Sequence, residues 1–122
     1  MSSVLDASAL LAFVQGEVGC EVVAEALDRS PICGAANWSE VAQKVLAAGR
    51  DWDLVRSLLL SYGVAVEPVG AADAERAAAR WRPGDGLSLA DRLCLALGER
   101  LDVEVLTADA SWGSEGRVRQ VR

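Results

Sequence analysis

Short apolar segments alternate with helical segments along the whole chain, and this alternation is the strongest constraint on its fold. Segments of three to five apolar residues predict β-strands, and the longer stretches between them repeat apolar residues at helical spacing. Because helices separate successive strands, the pattern indicates an α/β fold with a mostly parallel sheet.

The predicted elements follow one another without a linker or an internal repeat. Four clear strands and a weaker fifth are predicted at Ser3–Leu5, Pro31–Gly34, Val64–Val66, Val103–Leu106 and Arg117–Val121. Helices are predicted at Ala9–Gln15, Val18–Leu27, Asn37–Ala48, Asp51–Tyr62, Ala71–Trp81 and Ser88–Leu101. A chain of 122 residues with this organisation is expected to form a single domain, residues 1–122.

Composition indicates the class of protein. The chain is 52% hydrophobic and 25% charged, which is typical of a globular protein with a core. No run reaches the roughly 18 apolar residues of a membrane span, and the start MSSVLDAS lacks the basic segment of a signal peptide. We therefore expect a cytoplasmic protein in which Cys20, Cys33 and Cys94 are reduced thiols in apolar surroundings.

Four acidic residues, Asp6, Glu40, Asp91 and Asp109, stand at the edges of apolar segments. Asp6 directly follows the first predicted strand, and Asp109 comes three residues after the fourth. Glu40 and Asp91 fall in the first turns of the third and sixth predicted helices. Ligands of parallel sheets bind beyond the carboxyl ends of the strands, so the four acids are expected to converge at one edge.

Each acid also has a structural explanation when it is considered alone. Glu40 and Asp91 have the spacing of capping-box acids, Asp6 or Ser8 can cap the first helix, and Asp109 can cap a short turn. Four carboxylates at one edge, however, would repel one another unless cations neutralise them. The chain has no histidine, no metal-binding cysteine pattern and no phosphate loop. The joint pattern therefore predicts a carboxylate site for hard divalent cations.

Four motifs in this order give the chain a resemblance to the PIN-domain family and, within it, to the VapC-like toxins of prokaryotic toxin–antitoxin pairs. The resemblance spans essentially the whole chain. The motifs are VLDASALLA at Val4–Ala12, NWSEV at Asn37–Val41, SLADRLCLAL at Ser88–Leu97 and LTAD at Leu106–Asp109.

The resemblance implies a three-layer α/β/α fold and a Mg²⁺- or Mn²⁺-dependent endoribonuclease. The acidic metal-site and catalytic residues that it implies are Asp6, Glu40, Asp91 and Asp109. The polar residues that it implies as supports are Thr107, Ser8 and Asn37. Some relatives carry another acid just beyond the position of Asp109, whereas Ala110, Ser111 and Trp112 follow here, so a second metal would be held less tightly.

Substrate and partners are expected on the same basis. The net charge of −6 opposes RNA binding by overall charge, so we expect a local contact from Arg92, with Arg82 as a weaker candidate. The resemblance also implies a small antitoxin, and one of its arginines could inhibit by competing with the metals. The apolar stretch Ala9–Leu27 is expected to contribute to a homodimer contact and to an antitoxin groove.

Three alternatives remain open from the sequence. A phosphoacceptor receiver domain has similar size and topology, but it needs a lysine after a late strand, and the only lysine here is Lys44 in a helix. A nuclease of the same fold could act on DNA or on structured substrates. A binding-only protein with a degenerate site is the third, and retention of all four acids argues against it.

Overall fold

A single parallel sheet of five strands organises the protein, whose computed structural model describes all residues 1–122. The strand order is β3-β2-β1-β4-β5, and every pair of neighbours is parallel. The strands are β1 (Ser3–Leu5), β2 (Pro31–Gly34), β3 (Ala65–Glu67), β4 (Glu104–Thr107) and β5 (Val118–Gln120). The predicted α/β class with a parallel sheet is therefore confirmed.

Six α-helices connect and cover these strands, as predicted. They are α1 (Ala7–Gln15), α2 (Cys20–Leu27), α3 (Ala35–Ala47), α4 (Trp52–Ser61), α5 (Ala71–Ala79) and α6 (Leu89–Leu101), and a 3₁₀ turn follows at Ala110–Trp112. No single helix has the length and apolar composition to cross a membrane; the only combination meeting those criteria is α1 with α2, which are bent by 107°.

The core has two parts, one on each side of the sheet. The larger packs α1 to α4 against strand residues such as Leu5 and Leu106. The smaller packs Cys94 and Leu97 of α6 against Val4 of β1. Successive strand residues such as Val4 and Leu5 thus serve opposite faces, and the predicted three-layer α/β/α arrangement is confirmed.

Close contact between α6 and β4 depends on a glycine. A Cβ atom at Gly98 would collide with the side chain of Val105 in β4. The missing side chain lets α6 lie directly on the sheet, which fixes the position of the start of α6 near the carboxyl ends of the strands.

The first two helices are less exposed than the sequence suggested. Most of their apolar residues are buried, and the exposed apolar residue in this stretch is Val18, in the turn between them. Large exposed apolar side chains instead lie on and just beyond α4: Leu54, Leu58, Leu60 and Tyr62. The expectation that Ala9–Leu27 carries surplus apolar surface was therefore wrong, because its apolar side chains pack into the core formed by α1 to α4 and its exposed positions are mostly polar.

Candidate metal centre

Asp6 lies at the centre of the carboxyl edge of the sheet. It directly follows β1 and caps α1 by accepting a hydrogen bond from the Ala9 N–H at 2.8 Å. Its residue surface is only 4% exposed. The cap explains why α1 begins earlier than predicted, and it settles the choice between Asp6 and Ser8 as the capping residue.

Two hydroxyl groups hold the Asp6 carboxylate in place. Thr107, the last residue of β4, donates to Oδ2 at 2.6 Å, and Ser8 donates to Oδ1 at 2.7 Å. The Ser8 oxygen in turn accepts from the Ala108 N–H at 2.9 Å. These bonds link β1, α1 and β4 at one point, so the orientation of Asp6 is fixed before any ligand arrives.

The electrostatic state of Asp6 is unusual because it has no cationic side chain within ion-pair distance. Burial raises the pKa of Asp6 from 3.8 to about 6, the hydrogen bonds from Thr107, Ala9 and Ser8 oppose this rise, and the nearby charge of Asp91 adds to it. A cation at this position would stabilise the ionised form.

Asp91 lies in the first turn of α6, as predicted. Its Oδ2 accepts from the Ser88 N–H at 3.0 Å, and its own N–H donates to the Ser88 hydroxyl at 3.1 Å, which completes a capping box. Its Oδ1 has no hydrogen-bond partner. The structural role and the functional role are therefore compatible, because capping uses one carboxylate oxygen and leaves the other free.

Glu40 and Asn37 differ from the sequence prediction. Gly34 precedes the first residue of α3, so Asn37 lies inside the first turn and Glu40 in the second. The Asn37 amide does not cap its own helix; it donates to Glu40 Oε1 at 3.1 Å and to the Ala90 carbonyl at 3.4 Å. Asn37 thus joins α3 to the start of α6, and its buried Oδ1 has no partner.

Asp109 follows β4 and is exposed. Its Oδ1 accepts from the N–H and the hydroxyl of Ser111, at 2.9 and 2.7 Å, and so caps the 3₁₀ turn. Its N–H donates to Thr107 Oγ1 at 3.0 Å, the same oxygen that donates to Asp6. Thr107 therefore couples the backbone of Asp109 to the buried carboxylate.

Two buried thiols lie near these acids. Cys33 of β2 and Cys94 of α6 are fully buried. Burial raises the pKa of the Cys94 thiol well above its usual value, and the charges of Asp6, Asp91 and Glu40 all act in the same direction. All three cysteines are free thiols, and the two buried ones are neutral packing groups.

The donor set suits a hard cation. Carboxylate, hydroxyl and amide oxygens are the ligands that Mg²⁺ and Mn²⁺ prefer. Glu40, Asp91 and Asp109 each keep one carboxylate oxygen without a hydrogen-bond partner. The side chains do not bring three acidic or thiol groups to a common metal-binding distance. The chemistry of the donors therefore fits the metal, and the acids form an open edge rather than a closed cage.

The two predicted arginine contacts point toward neighbouring backbone. Arg92 donates to the Ala77 carbonyl of α5 at 2.9 Å, and its Nε is buried without a partner. Arg82 donates to the carbonyls of Ala79 and Trp81. Both side chains thus help to join α5 to the following segment.

Sequence reasoning missed the contribution of β5 to this edge. Gln120 donates to the Asp109 carbonyl at 2.9 Å, and Arg122 donates to the Ala108 carbonyl at 3.0 Å. These side chains hold the backbone on both sides of Asp109. No local signal could have revealed the contacts, because they depend on the pairing of β5 with β4.

Comparison with known proteins shows which family this chain belongs to. The PIN-domain family model matches residues 3–114. Ribonuclease VapC42 of Mycobacterium tuberculosis is 37% identical over 107 residues, covering 79% of this chain and 82% of the relative, and a VapC ribonuclease of Mycobacterium bovis matches equally.

Two solved structures share the fold. A toxin–antitoxin complex from Klebsiella pneumoniae superposes with a TM-score of 0.82 at 20% identity, covering 99% of this chain and 98% of the other. VapC20 of M. tuberculosis, a sarcin–ricin loop cleaving toxin, gives 0.73 at 16% identity, covering 96% and 97%. On the family match and the 37% identity, the chain belongs to the PIN-domain family, among the VapC ribonucleases.

Proposed function

We propose that this chain is a divalent-metal-dependent endoribonuclease and the toxin of a toxin–antitoxin pair, with residues 1–122 forming one catalytic domain. The observation that carries the proposal is the Asp6 carboxylate, which is buried beside Asp91 without a cationic side chain. Mg²⁺ or Mn²⁺ would supply the missing positive charge. Relatives with the same family membership are named as ribonucleases.

Asp6 and Asp91 are the residues that would hold the cation. When bound, such a cation stabilises charge on the phosphate and lowers the pKa of water. Glu40 accepts the proton of the attacking water through its unpartnered Oε2, or binds the cation directly. The free oxygen of Asp109 orients the same water or binds the cation. Hydrolysis then leaves a 5′-phosphate and a 3′-hydroxyl without a histidine base.

Three polar residues position these acids. Thr107 and Ser8 fix both oxygens of Asp6, and Asn37 fixes Glu40 relative to α6. Such outer contacts orient ligand oxygens and tune metal affinity. The supports are therefore expected to matter for metal binding although they do not touch the substrate.

The substrate is RNA, bound at the open carboxyl edge. A cavity of about 490 Å³ lies at the opposite edge, next to the starts of β1, β4 and β5. Of the acids, Asp6 is buried, but Glu40 and Asp91 are half-buried and Asp109 is exposed, and an edge that opens to the surface in this way suits a polymer better than a small molecule. Arg92 is proposed as one phosphate contact through the guanidinium nitrogen that does not bind Ala77.

A small antitoxin is the proposed protein partner, and the chain is proposed to act as a cytoplasmic homodimer. The toxin–antitoxin complex from K. pneumoniae has the same fold. The antitoxin is expected to cover the apolar side chains of α4, where Val14, Leu54 and Leu58 border a groove beside Arg50. The expected stretch Ala9–Leu27 thus contributes Val14 to the groove, and the connection before α4 together with α4 itself provides the rest of its lining.

The test is cleavage of bacterial RNA by purified protein. Wild type, an Asp6→Asn, Asp91→Asn double variant and an Asp28→Asn control are incubated with total RNA in Mg²⁺, Mn²⁺ or EDTA. Asp28 is exposed at the end of α2 and belongs to none of the segments that carry the four acids, so the control makes one of the two carboxylate-to-amide changes away from the site. The wild type and the control are expected to produce new 5′-phosphate ends with metal, and the double variant none.

Three results would contradict the proposal. Ends carrying a 2′,3′-cyclic phosphate would exclude hydrolysis by water. Equal cleavage in EDTA would exclude the metal. Equal cleavage of a DNA strand of the same sequence would favour the DNA-nuclease alternative, since attack by water does not require a 2′-hydroxyl.

A further inference from the structure

An acidic nuclease needs positive charge where its polyanionic substrate binds. The chain carries a net charge of −6. Asp6 and Asp109 follow β1 and β4 at the carboxyl edge of the sheet, and Glu40 and Asp91 lie in the first two turns of α3 and α6. Phosphate binding by proteins relies on lysine and arginine. The proposed function therefore requires at least one cationic side chain at this edge that is not already neutralised.

Half of the twelve cationic side chains are engaged in ion pairs. Six of the eleven arginines form ion pairs with carboxylates on the chain. These six are Arg56, Arg76, Arg80, Arg100, Arg117 and Arg119. The cations without an acidic partner are Arg29, Lys44, Arg50, Arg82, Arg92 and Arg122.

Four of these remaining cations lie away from the acidic edge or face other groups. Arg29 comes just before β2, at the amino edge of the sheet, and Lys44 lies in the last turn of α3. Arg50 lies in the connection from α3 to α4. Arg82 donates to two carbonyls next to α5. Arg29, Arg50 and Arg82 thus lie outside the elements that carry the acids. Lys44 lies one turn after Glu40 on α3, but its side chain is exposed and no hydrogen bond or ion pair anchors it at the edge.

Arg92 and Arg122 remain, and they differ in freedom. Arg92 is half-buried against α5, with one guanidinium nitrogen bound to Ala77 and its Nε enclosed. Arg122 is exposed, and its only hydrogen bond is from Nε to the Ala108 carbonyl at 3.0 Å. Both terminal nitrogens of Arg122 are therefore free.

The pairing of β5 with β4 places Arg122 beside the site. β5 runs parallel to β4, and the Val121 N–H donates to the Thr107 carbonyl at 2.9 Å, which continues the pairing to the carboxyl edge. Arg122 then lies beside the backbone that links Thr107 to Asp109. Since Nε is anchored on Ala108, the two free terminal nitrogens form the fork that is suited to two oxygens of one phosphate.

We propose that Arg122 binds a phosphate group of the RNA strand next to the metal site. This inference rests on the proposed ribonuclease function. The anchor on Ala108 presents the guanidinium near Asp109 without an ion pair between them, so the positive charge stays available to the substrate. Arg122 thus adds a second cationic contact to the one proposed for Arg92.

The test compares Arg122→Gln with a matched control, Arg29→Gln, which removes the same charge from the opposite edge of the sheet. Binding of a fluorescein-labelled single-stranded RNA oligonucleotide of mixed sequence is measured by anisotropy at several salt concentrations, in an Asp6→Asn background that suppresses cleavage. Arg122→Gln is expected to weaken binding about tenfold and to lower the salt slope by about 0.7. Arg29→Gln is expected to change neither.

Arg122→Lys separates charge from geometry. It is expected to keep the salt slope and to recover only part of the affinity, because an ammonium group cannot bind two phosphate oxygens as a fork. In the cleavage assay, Arg122→Gln is expected to raise KM more than it lowers kcat. Circular dichroism of each variant checks that the fold is retained.

The outcomes distinguish the two proposals. Wild-type protein that cleaves RNA, together with equal binding losses for Arg122→Gln and Arg29→Gln, would overturn the role of Arg122 and leave the ribonuclease function standing. Wild-type protein that neither binds nor cleaves RNA would overturn both. A loss confined to Arg122→Gln, with the slope change, would support the inference.

Discussion

Two buried aspartates in this protein have opposite electrostatic surroundings. Asp6 and Asp73 are the only acidic residues that are buried, and each lies at the start of a helix. Asp73 accepts from the Gly70 N–H at 3.1 Å and from Arg100 at 2.8 Å, which together hold its pKa below the usual value. Asp6 has only neutral donors, and burial raises its pKa to about 6.

The difference shows how a functional acid can be distinguished from a structural one. Burying a carboxylate is costly unless a positive charge compensates. The chain supplies Arg100 for Asp73 but nothing equivalent for Asp6, although eleven arginines are present. No charge on the chain compensates Asp6, so a proton or a bound cation would stabilise it, and such a gain from an external cation is what a metal site requires.

The largest expected effect is on catalysis. Asp6→Asn is expected to lower RNA cleavage by about a thousandfold, because a lost metal ligand removes several kcal/mol of transition-state stabilisation. Asp73→Asn makes the same chemical change at the other buried site and is expected to alter the cleavage rate less than about threefold. Initial rates on the same RNA at saturating Mg²⁺ measure both. Similar losses in the two variants would remove the functional distinction between the acids.

The second effect is on stability and its pH dependence. The folded-state pKa of Asp6, about 6, lies above its ordinary value of 3.8. The folded protein therefore binds the proton more tightly, and Asp6 costs stability progressively as pH rises through this interval. The free energy of unfolding of metal-free Asp6→Asn, measured relative to that of the wild type, should therefore rise by roughly 3 kcal/mol between about pH 4 and pH 8. Urea unfolding, followed by the fluorescence of the four tryptophans, measures this gain.

Repeating the urea unfolding with Mg²⁺ tests directly whether a cation stabilises ionised Asp6. At about pH 8, Mg²⁺ is expected to raise the stability of the wild type and not that of Asp6→Asn, because a ligand stabilises only the state that binds it. A stability difference that does not vary with pH, or an equal response of both proteins to Mg²⁺, would show that Asp6 does not need an external cation.

The fold was largely predictable because its signals are local. The bounds of β1 and β2 agree with the predicted segments, and all six helices exist. The start of α3 was predicted too late. Gly34 ends β2 and also precedes the first residue of α3, without a side-chain cap to mark the boundary, whereas Asn37 is a residue type that often caps helices. The exposed face of α4 was also missed, since burial depends on which helices pack together.

The identity of the candidate acids was predictable, and their environments were not. Asp6 and Asp91 lie where strand ends and helix starts were predicted. The absence of a counter-ion at Asp6, the contact between Arg92 and Ala77, and the position of Arg122 depend on residues far apart in sequence. Such contacts leave no trace in the local pattern of polar and apolar residues.

The third effect tests the structural acid. Asp73→Asn is expected to lower the free energy of unfolding by about 2 kcal/mol, because it weakens the charged hydrogen bond to Arg100 and the cap on Gly70. The contribution of Asp73 to the free energy of unfolding changes with pH in the opposite direction to that of Asp6. The lowered pKa of Asp73 contributes stability above its ordinary pKa, and this contribution is lost as pH falls through the folded-state value. Urea unfolding of both variants across acidic pH measures the two signs, and the same sign in both would contradict the comparison.

The smallest effect concerns the neutral donors that Asp6 has in place of an arginine. Thr107→Val removes the hydroxyl that donates to Asp6 Oδ2 and accepts from the Asp109 N–H. Since the Thr107 hydrogen bond lowers the pKa of Asp6, its loss should raise that pKa further. Mg²⁺ affinity at neutral pH is expected to fall about tenfold, as measured by titration calorimetry. Thr107→Ser keeps the hydroxyl and should retain most of the affinity, whereas an equal loss in Thr107→Ser would mean that the hydrogen bond to Asp6 does not account for the effect of Thr107→Val.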